Sequence, residues 1–240
     1  MKLALIGYGK MGKAIESVAL TQGHEIVQRM GSSNPADWHS TELKQADVAI
    51  EFTTPESAPQ HLLRCFELGI PVVCGTTGWL ARWQEIVVQC ARLGGSFLYA
   101  SNFSVGVNLF FELNKQLAKR MASHPEYTPQ LEEIHHTEKK DAPSGTAITL
   151  AEQLIEVHPV KKKWVNQPAS ESSELEIISK RIDQVPGTHS IEYRSSIDSI
   201  QITHTAHSRV GFANGAVMAA NFLKGKSGIY SMQDVLGLSH

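Results

Sequence analysis

Residues Glu132–Ala147 read EEIHHTEKKDAPSGTA, and this stretch brings two histidines, two lysines and a small-residue turn into close succession. Many reactions leave negative charge developing on a nitrogen or a carbon of the substrate. Quenching that charge needs a nearby acid, and a histidine with an unperturbed pKa of about 6.5 can give a proton at neutral pH. A lysine beside an anionic ligand stays charged and shares or replenishes that proton. The turn Asp141–Thr146, placed ahead of a helix, offers free backbone N–H groups and a hydroxyl, which suit a carboxylate. A metal is the rival reading of the doublet. Adjacent residues of a strand point to opposite faces, so His135 and His136 do not converge on one ion. His204 and His207 come without an H-E-x-x-H pattern or a cysteine partner, so no metal is expected and these two read as structural or surface histidines. His136 is also open to reading as an ordinary hydrogen-bonded histidine, and Lys140 as a solvent-facing neighbour of Lys139.

A second constellation lies at the N-terminus. Gly7, Tyr8, Gly9, Lys10, Met11 and Gly12 fit G-x-G-x-x-G. The match follows a short apolar run, Lys2–Ile6, and opens a helix. In that setting the glycines permit a tight turn and let backbone N–H groups approach a pyrophosphate at the helix N-terminus. The next strand ends Val27-Gln28-Arg29, where an acidic residue would hold the ribose hydroxyls of NAD. Arg29 can instead pair with the 2'-phosphate of NADP, so the expected cofactor is NADPH or NADH with a lean to NADPH; a plain surface arginine is the competing reading. Gly75, Thr76 and Thr77, with Gly78, end another strand. They are read either as a turn or as a lining for nicotinamide and ribose.

These groups need a framework, and the chain can supply one. Its 240 residues suffice for one large domain or two modest lobes sharing one site. The hydrophobic fraction of 42% and charged fraction of 19% are those of an ordinary globular protein. A net charge of -2 gives no basic field for nucleic acid, so a small-molecule partner is expected. Three cysteines without a C-x-x-C pair point to reduced thiols, and neither a secretion signal nor a membrane span is legible, so a cytoplasmic location is expected.

Up to about residue 106, strands and helices alternate as in a parallel sheet wound on both faces. A helix over 10–22 closes on Gly23. One over 55–68 is expected to start at Thr54-Pro55, with Pro59 a poor fit inside it, and one over 80–93 follows. Beyond residue 107 comes a longer amphipathic helix, then strands of polar alternation, QLEEIHH, ELEIISKRI, SIEYR and DSIQITHTAHS, expected to form an open mixed sheet with one wet face. Ser144 is read as the N-cap of a helix over 145–157. The stretch from Pro159 to Ser173 is read as an exposed loop with a solvated lysine triplet. Two short helical patterns close the chain. The fold class is therefore α/β, a Rossmann-like doubly wound parallel sheet plus a second α+β domain with an open mixed sheet. The expected division is residues 1–106 completed by 213–240, and residues 107–212.

Taken together, GYGKMG, GTTG, ASNFSVGVN at 100–108, EIHHTEKKDAPSGTA at 133–147 and FANGAV at 212–217 resemble the 4-hydroxy-tetrahydrodipicolinate reductase (dihydrodipicolinate reductase) family of the lysine and diaminopimelate pathway. The resemblance spans nearly the whole chain. It implies a Rossmann cofactor domain, a mixed-sheet substrate domain that builds a homotetramer, and NAD(P)H-dependent reduction of the cyclic dicarboxylate (2S,4S)-4-hydroxy-2,3,4,5-tetrahydrodipicolinate, with loss of water, to tetrahydrodipicolinate. By the same resemblance, His135 is the proton donor, assisted by Lys139, and His136, Lys139, Gly145 and Thr146 hold the substrate. The cofactor segments fall on Gly7–Gly12, Gly75–Thr77 and Ala100, Ser101, Asn102 and Phe103. The glycine loop is one residue shorter than in many relatives, and the acidic end of the second strand is replaced. A redox-sensing cofactor-binding module, or a Rossmann dehydrogenase for another imine or amino acid, are the readings from other classes.

Overall fold

The computed structural model describes residues 1–31, 38–208 and 210–238. The chain divides into two compact units, Met1–Val105 with Val210–His240, and Gly106–Arg209.

The first unit is built on strands β1 (Lys2–Ile6), β2 (Glu25–Met30), β3 (Val48–Glu51), β4 (Val72–Cys74), β5 (Ser96–Tyr99) and, from the returning chain, β11 (Gly228–Tyr230). They form one sheet in the order β11-β5-β4-β3-β1-β2, parallel at every pairing. Both faces are covered, which is why β1 is apolar without alternation. Leu3 and Leu5 pack with Ile15 and Ala19 of helix α1 (Lys10–Thr21) and with Ala216 and Ala220 of helix α6 (Val210–Leu223). Ala4 and Ile6 face the opposite way, toward Leu62 and Phe66 of helix α2 (Ala58–Glu67) and Ile86 and Cys90 of helix α3 (Trp83–Leu93). The α1 helix ends as read, with Gly23 left-handed at φ 76. Helix α2 starts at Ala58, not at Pro55: a turn from Thr54 precedes it, and Pro59 lies in its first turn, where no N–H is needed. The 80–93 segment opens with a short 3-10 turn at Leu80–Arg82. Strand β11 and helix α7 (Met232–Val235) complete this unit.

The second unit contains helix α4 (Val105–Met121) from its second residue, strand β6 (Thr128–His135), helix α5 (Gly145–Val157), and strands β7 (Lys163–Val165), β8 (Glu174–Arg181), β9 (Gly187–Arg194) and β10 (Ser199–Ala206). The sheet order is β10-β9-β6-β8-β7, with β10, β9 and β6 antiparallel and β6, β8 and β7 parallel. Leu131, Leu175, Ile177, Ile191 and Tyr193 pack against Phe110 and Met121 of α4 and Leu150 and Leu154 of α5. The opposite face is polar, as in the Ser190–Thr203 hydroxyl pair at 2.9 Å. The exposed loop expected over 159–173 is corrected in part. Lys163–Val165 pairs with β8, Trp164 packs on the core, and Lys161 is buried with its Nζ donating to the Glu174 carbonyl at 2.7 Å. Burial lowers the Lys161 pKa. Among the described residues no helix is long and apolar enough to cross a membrane.

Candidate active site

In the first unit the sheet order brings the predicted cofactor segments to one edge. Chain β1 departs to β2 on one side and to β3 on the other, so the topological switch point lies between β1 and β3, where open α/β sheets take ligands. A pocket of about 460 Å³ opens there, lined by Gly7–Gly9, Met30, Gly31, Phe52–Thr54 and His61. Gly7 has φ +99, and a Cβ on it would lie 1.9 Å from the Phe52 carbonyl oxygen, so only glycine fits this turn. Helix α1 starts at Gly9 without a side-chain cap and without an acidic residue in its first turn. Lys10 is exposed, Met11 half-buried and Gly12 buried.

Gly75–Thr77 and Ala100–Phe103 follow the adjacent strands β4 and β5. Thr76 is buried and its hydroxyl accepts from the Thr53 N–H at 2.7 Å, pinning the end of β3, while Thr77 is exposed. Phe103 is buried against Phe52, Ser101 is exposed, and Asn102 Oδ1 accepts from the Ser104 N–H at 2.9 Å. Arg29, at the end of β2, donates through Nε to Glu16 Oε1 at 2.7 Å, and the Tyr8 hydroxyl donates to the other oxygen of Glu16. Burial would raise the Glu16 pKa, but the hydrogen bonds from Arg29 and Tyr8 hold it below the usual carboxylate value.

In the second unit, β6 runs straight into the histidine doublet. His135 is the last strand residue and is buried, whereas His136 lies just beyond it and is half-buried. The His135 side chain joins Glu133 from its own strand and His189 from β9, whose ring centroid is 5.1 Å away. Donor atoms of Glu133, His135 and His189 lie within 4.8 Å of one another. Glu133 Oε2 is 3.0 Å from His135 Nδ1 and 3.8 Å from His189 Nε2, and Glu133 Oε1 accepts from Arg181 of β8 at 3.2 Å. Burial pushes His189 down to about 4, and the charge of His135 acts in the same direction. His189 Nε2 in turn meets the Ser144 hydroxyl at 3.0 Å, and that hydroxyl accepts from the Ala147 N–H as the N-cap of α5.

Lys139 Nζ donates to both oxygens of Asp141 at 2.8 Å, and Lys140 is exposed. Gly145 is exposed at the first turn of α5, with nothing within 4 Å of where a Cβ would stand, and Thr146 is half-buried beside it. His136 lines a pocket of about 400 Å³ with Thr137, Glu138, Asp183, Gln184 and Ser208. His204 packs its ring on Phe110 and His207 is exposed. Glu133, Arg181 and His189 were not singled out in the sequence. A signal did exist for Glu133, since residues i and i+2 of a strand share a face; Arg181 and His189 depend on register, which the sequence does not display.

Residues 1–103 match the family described as "Dihydrodipicolinate reductase, N-terminus", and residues 106–236 match "Dihydrodipicolinate reductase, C-terminus". The chain is 48% identical over 236 residues to a 4-hydroxy-tetrahydrodipicolinate reductase of Christiangramia forsetii, covering 98% of each. It is 34% identical over 232 residues to the protein of that name from Neisseria meningitidis serogroup A, covering 94% of this chain and 85% of that one. Among solved structures, a dipicolinate-bound dihydrodipicolinate reductase from Paenisporosarcina sp. TG-14 is similar in fold with TM-score 0.75 at 23% identity, covering 96% of this chain and 97% of that one. An amine dehydrogenase from Mycobacterium smegmatis is similar in fold with TM-score 0.61 at 10% identity, covering 95% and 94%.

Proposed function

The chain belongs to the dihydrodipicolinate reductase family, and from that premise we propose how its residues divide the reduction of 4-hydroxy-tetrahydrodipicolinate. The chain is an oxidoreductase of lysine and diaminopimelate biosynthesis acting on a small molecule. Bound NAD(P)H supplies the hydride, and the substrate loses water to leave tetrahydrodipicolinate.

The first unit holds the cofactor. The uncapped start of α1 supports this, because among the described residues its first N–H groups have no side-chain partner and position 9 borders open space, as a pyrophosphate requires. Gly7–Gly12 take the pyrophosphate, and Gly75–Thr77 with Ala100–Phe103 line the nicotinamide side. The preferred cofactor is NADPH, with the Arg29 guanidinium as the group for the 2'-phosphate.

In the second unit, His135 gives the proton that follows hydride addition, and Lys139 assists it. His136, Lys139, Gly145 and Thr146 hold the two carboxylates, with the N-terminus of α5 contributing free N–H groups. The observation that carries this assignment is the link from Glu133 to both His135 and His189, and from His189 through Ser144 to the start of α5. One buried network thereby ties the proton donor to the anion site. The test is His135→Gln. Its kcat should fall by about 10²–10⁴ while the KM for the dicarboxylate changes little. A main effect on KM would reassign His135 to binding.

The assembly is a homotetramer built by the second unit. Strand β10 at the sheet edge supports this, with Ile200 exposed and Ile197, on the turn before it, 91% exposed. Cys65, Cys74 and Cys90, all buried free thiols, support a cytoplasmic setting.

A further inference from the structure

We infer that Glu133 is the positioning residue of the proton transfer: it holds the Nδ1 edge of His135, so that the proton delivered to substrate is the one on Nε2. The inference rests on the reading of His135 as donor. Glu133 is fully buried, two residues before His135 on β6, and the two side chains therefore leave the strand on the same face. Buried Glu133 Oε2 and His135 Nδ1 lie 3.0 Å apart, an ion-pair separation, and among the described residues neither atom has a partner in hydrogen-bonding geometry, so each is the polar group that the other faces. Burial would raise the Glu133 pKa, but the polar groups beside the carboxylate, His135 first and then Ser144 and Ser179, hold it far below the usual range. An ionised carboxylate only accepts, so Nδ1 must be the donor.

Arg181 completes the arrangement. Its guanidinium donates to Glu133 Oε1 at 3.2 and 3.3 Å, to the Asp141 carbonyl at 2.6 Å and to the Lys139 carbonyl at 3.3 Å. It thus steadies the carboxylate behind His135 and the turn that carries Lys139. Across the sheet, Gly187 of β9 leaves room beside the free edge of the ring: a Cβ there would lie 3.0 Å from His135 Nε2. The clustering of Glu133, His135 and His189 would also suit a cation, but Arg181 already presents a positive charge to this carboxylate, and Ser144 engages His189.

The proton balance follows. With imidazolium as the acid, the Nε2–H bond breaks as the proton passes to the ring nitrogen or carbon that hydride addition left negative. The neutral imidazole that remains carries its hydrogen on Nδ1, still donated to Glu133, and regains the Nε2 proton from solvent. The carboxylate fixes this tautomer.

The charged and titratable groups near His135 are Glu133 on its own strand, Arg181 on β8, His189 on β9, His204 on β10 acting on His189, and the Lys139–Asp141 pair in the turn. Replacing Glu133 by Gln removes the negative partner and leaves Arg181 uncompensated.

The experiment measures kcat and KM for wild type, Glu133→Gln and His135→Gln, with ¹⁵N shifts of the His135 ring in the wild-type protein. In Glu133→Gln, kcat should fall roughly tenfold or more with little change in KM. In the wild type, the neutral ring should show the Nδ1–H tautomer. An Nε2–H tautomer, or a folded Glu133→Gln with unchanged kcat while His135→Gln is crippled, would overturn the positioning role alone. An undiminished kcat in His135→Gln would overturn the donor reading beneath it.

Discussion

A carboxylate, a guanidinium and an imidazole in contact leave each group little choice of state, and Glu133, Arg181 and His135 show how residue identity becomes chemistry. The alternation in EEIHH was enough to place His135 and His136 on opposite faces, and the structure agrees: one is buried and the other lines a polar pocket. The same rule would have paired Glu133 with His135. Arg181, which reaches Glu133 from 48 residues along the chain, was legible only through the β6–β8 register. Arg29 is the second residue whose setting matters. Its partner is Glu16, so an arginine that serves a 2'-phosphate, as proposed, has to exchange one anion for the other. We expect Arg29→Ala to raise the KM for NADPH by roughly tenfold, the worth of one charge-assisted contact, with little effect on NADH. An unchanged ratio of the two KM values would remove Arg29 from cofactor choice.

Among the elements, those with a chemical start or stop signal were read closely. Helix α5 spans Gly145–Val157 as expected, because Ser144 caps it and Ala147, Leu150, Ala151 and Leu154 face one core. Helix α2 was misplaced at its start, since two prolines compete there and the later one takes the first turn. Strands β7 and β11, three residues each, are too short to show a period and exist through their pairing with β8 and β5. At this scale His189 joins β9 to the cap of α5 and also makes stability depend on pH. Its folded pKa of about 4 lies below the ordinary 6.5, so between these values the unfolded chain takes up a proton that the folded one refuses. Stability must fall as pH drops through that window, by up to about 3 kcal/mol. Thermal melts from pH 7 to 4.5 should show a shallower decline for His189→Gln than for wild type; parallel curves would contradict the role.

At the scale of the molecule, the chain leaves its first unit at Val105 and returns to it at Val210, so one core is assembled from both ends of the sequence. The doubly wound sheet and the mixed sheet were legible because burial on two faces and burial on one face write different hydropathy patterns. The strand order was not, although it gathers residues 7–12, 52–54, 75–77 and 100–103 at one edge. On the proposed reading, this chain reduces a cyclic dicarboxylate with His135 as its acid. The direct measurement follows NAD(P)H absorbance with 4-hydroxy-tetrahydrodipicolinate as substrate, for wild type and His135→Gln, with and without pyridine-2,6-dicarboxylate. That reading requires turnover by wild type, inhibition competitive with the substrate, and a His135→Gln enzyme slowed at least a hundredfold, about the lower bound for loss of a general acid. Wild-type turnover that persists undiminished in His135→Gln, or no oxidation of either cofactor by the folded wild-type protein, would contradict it.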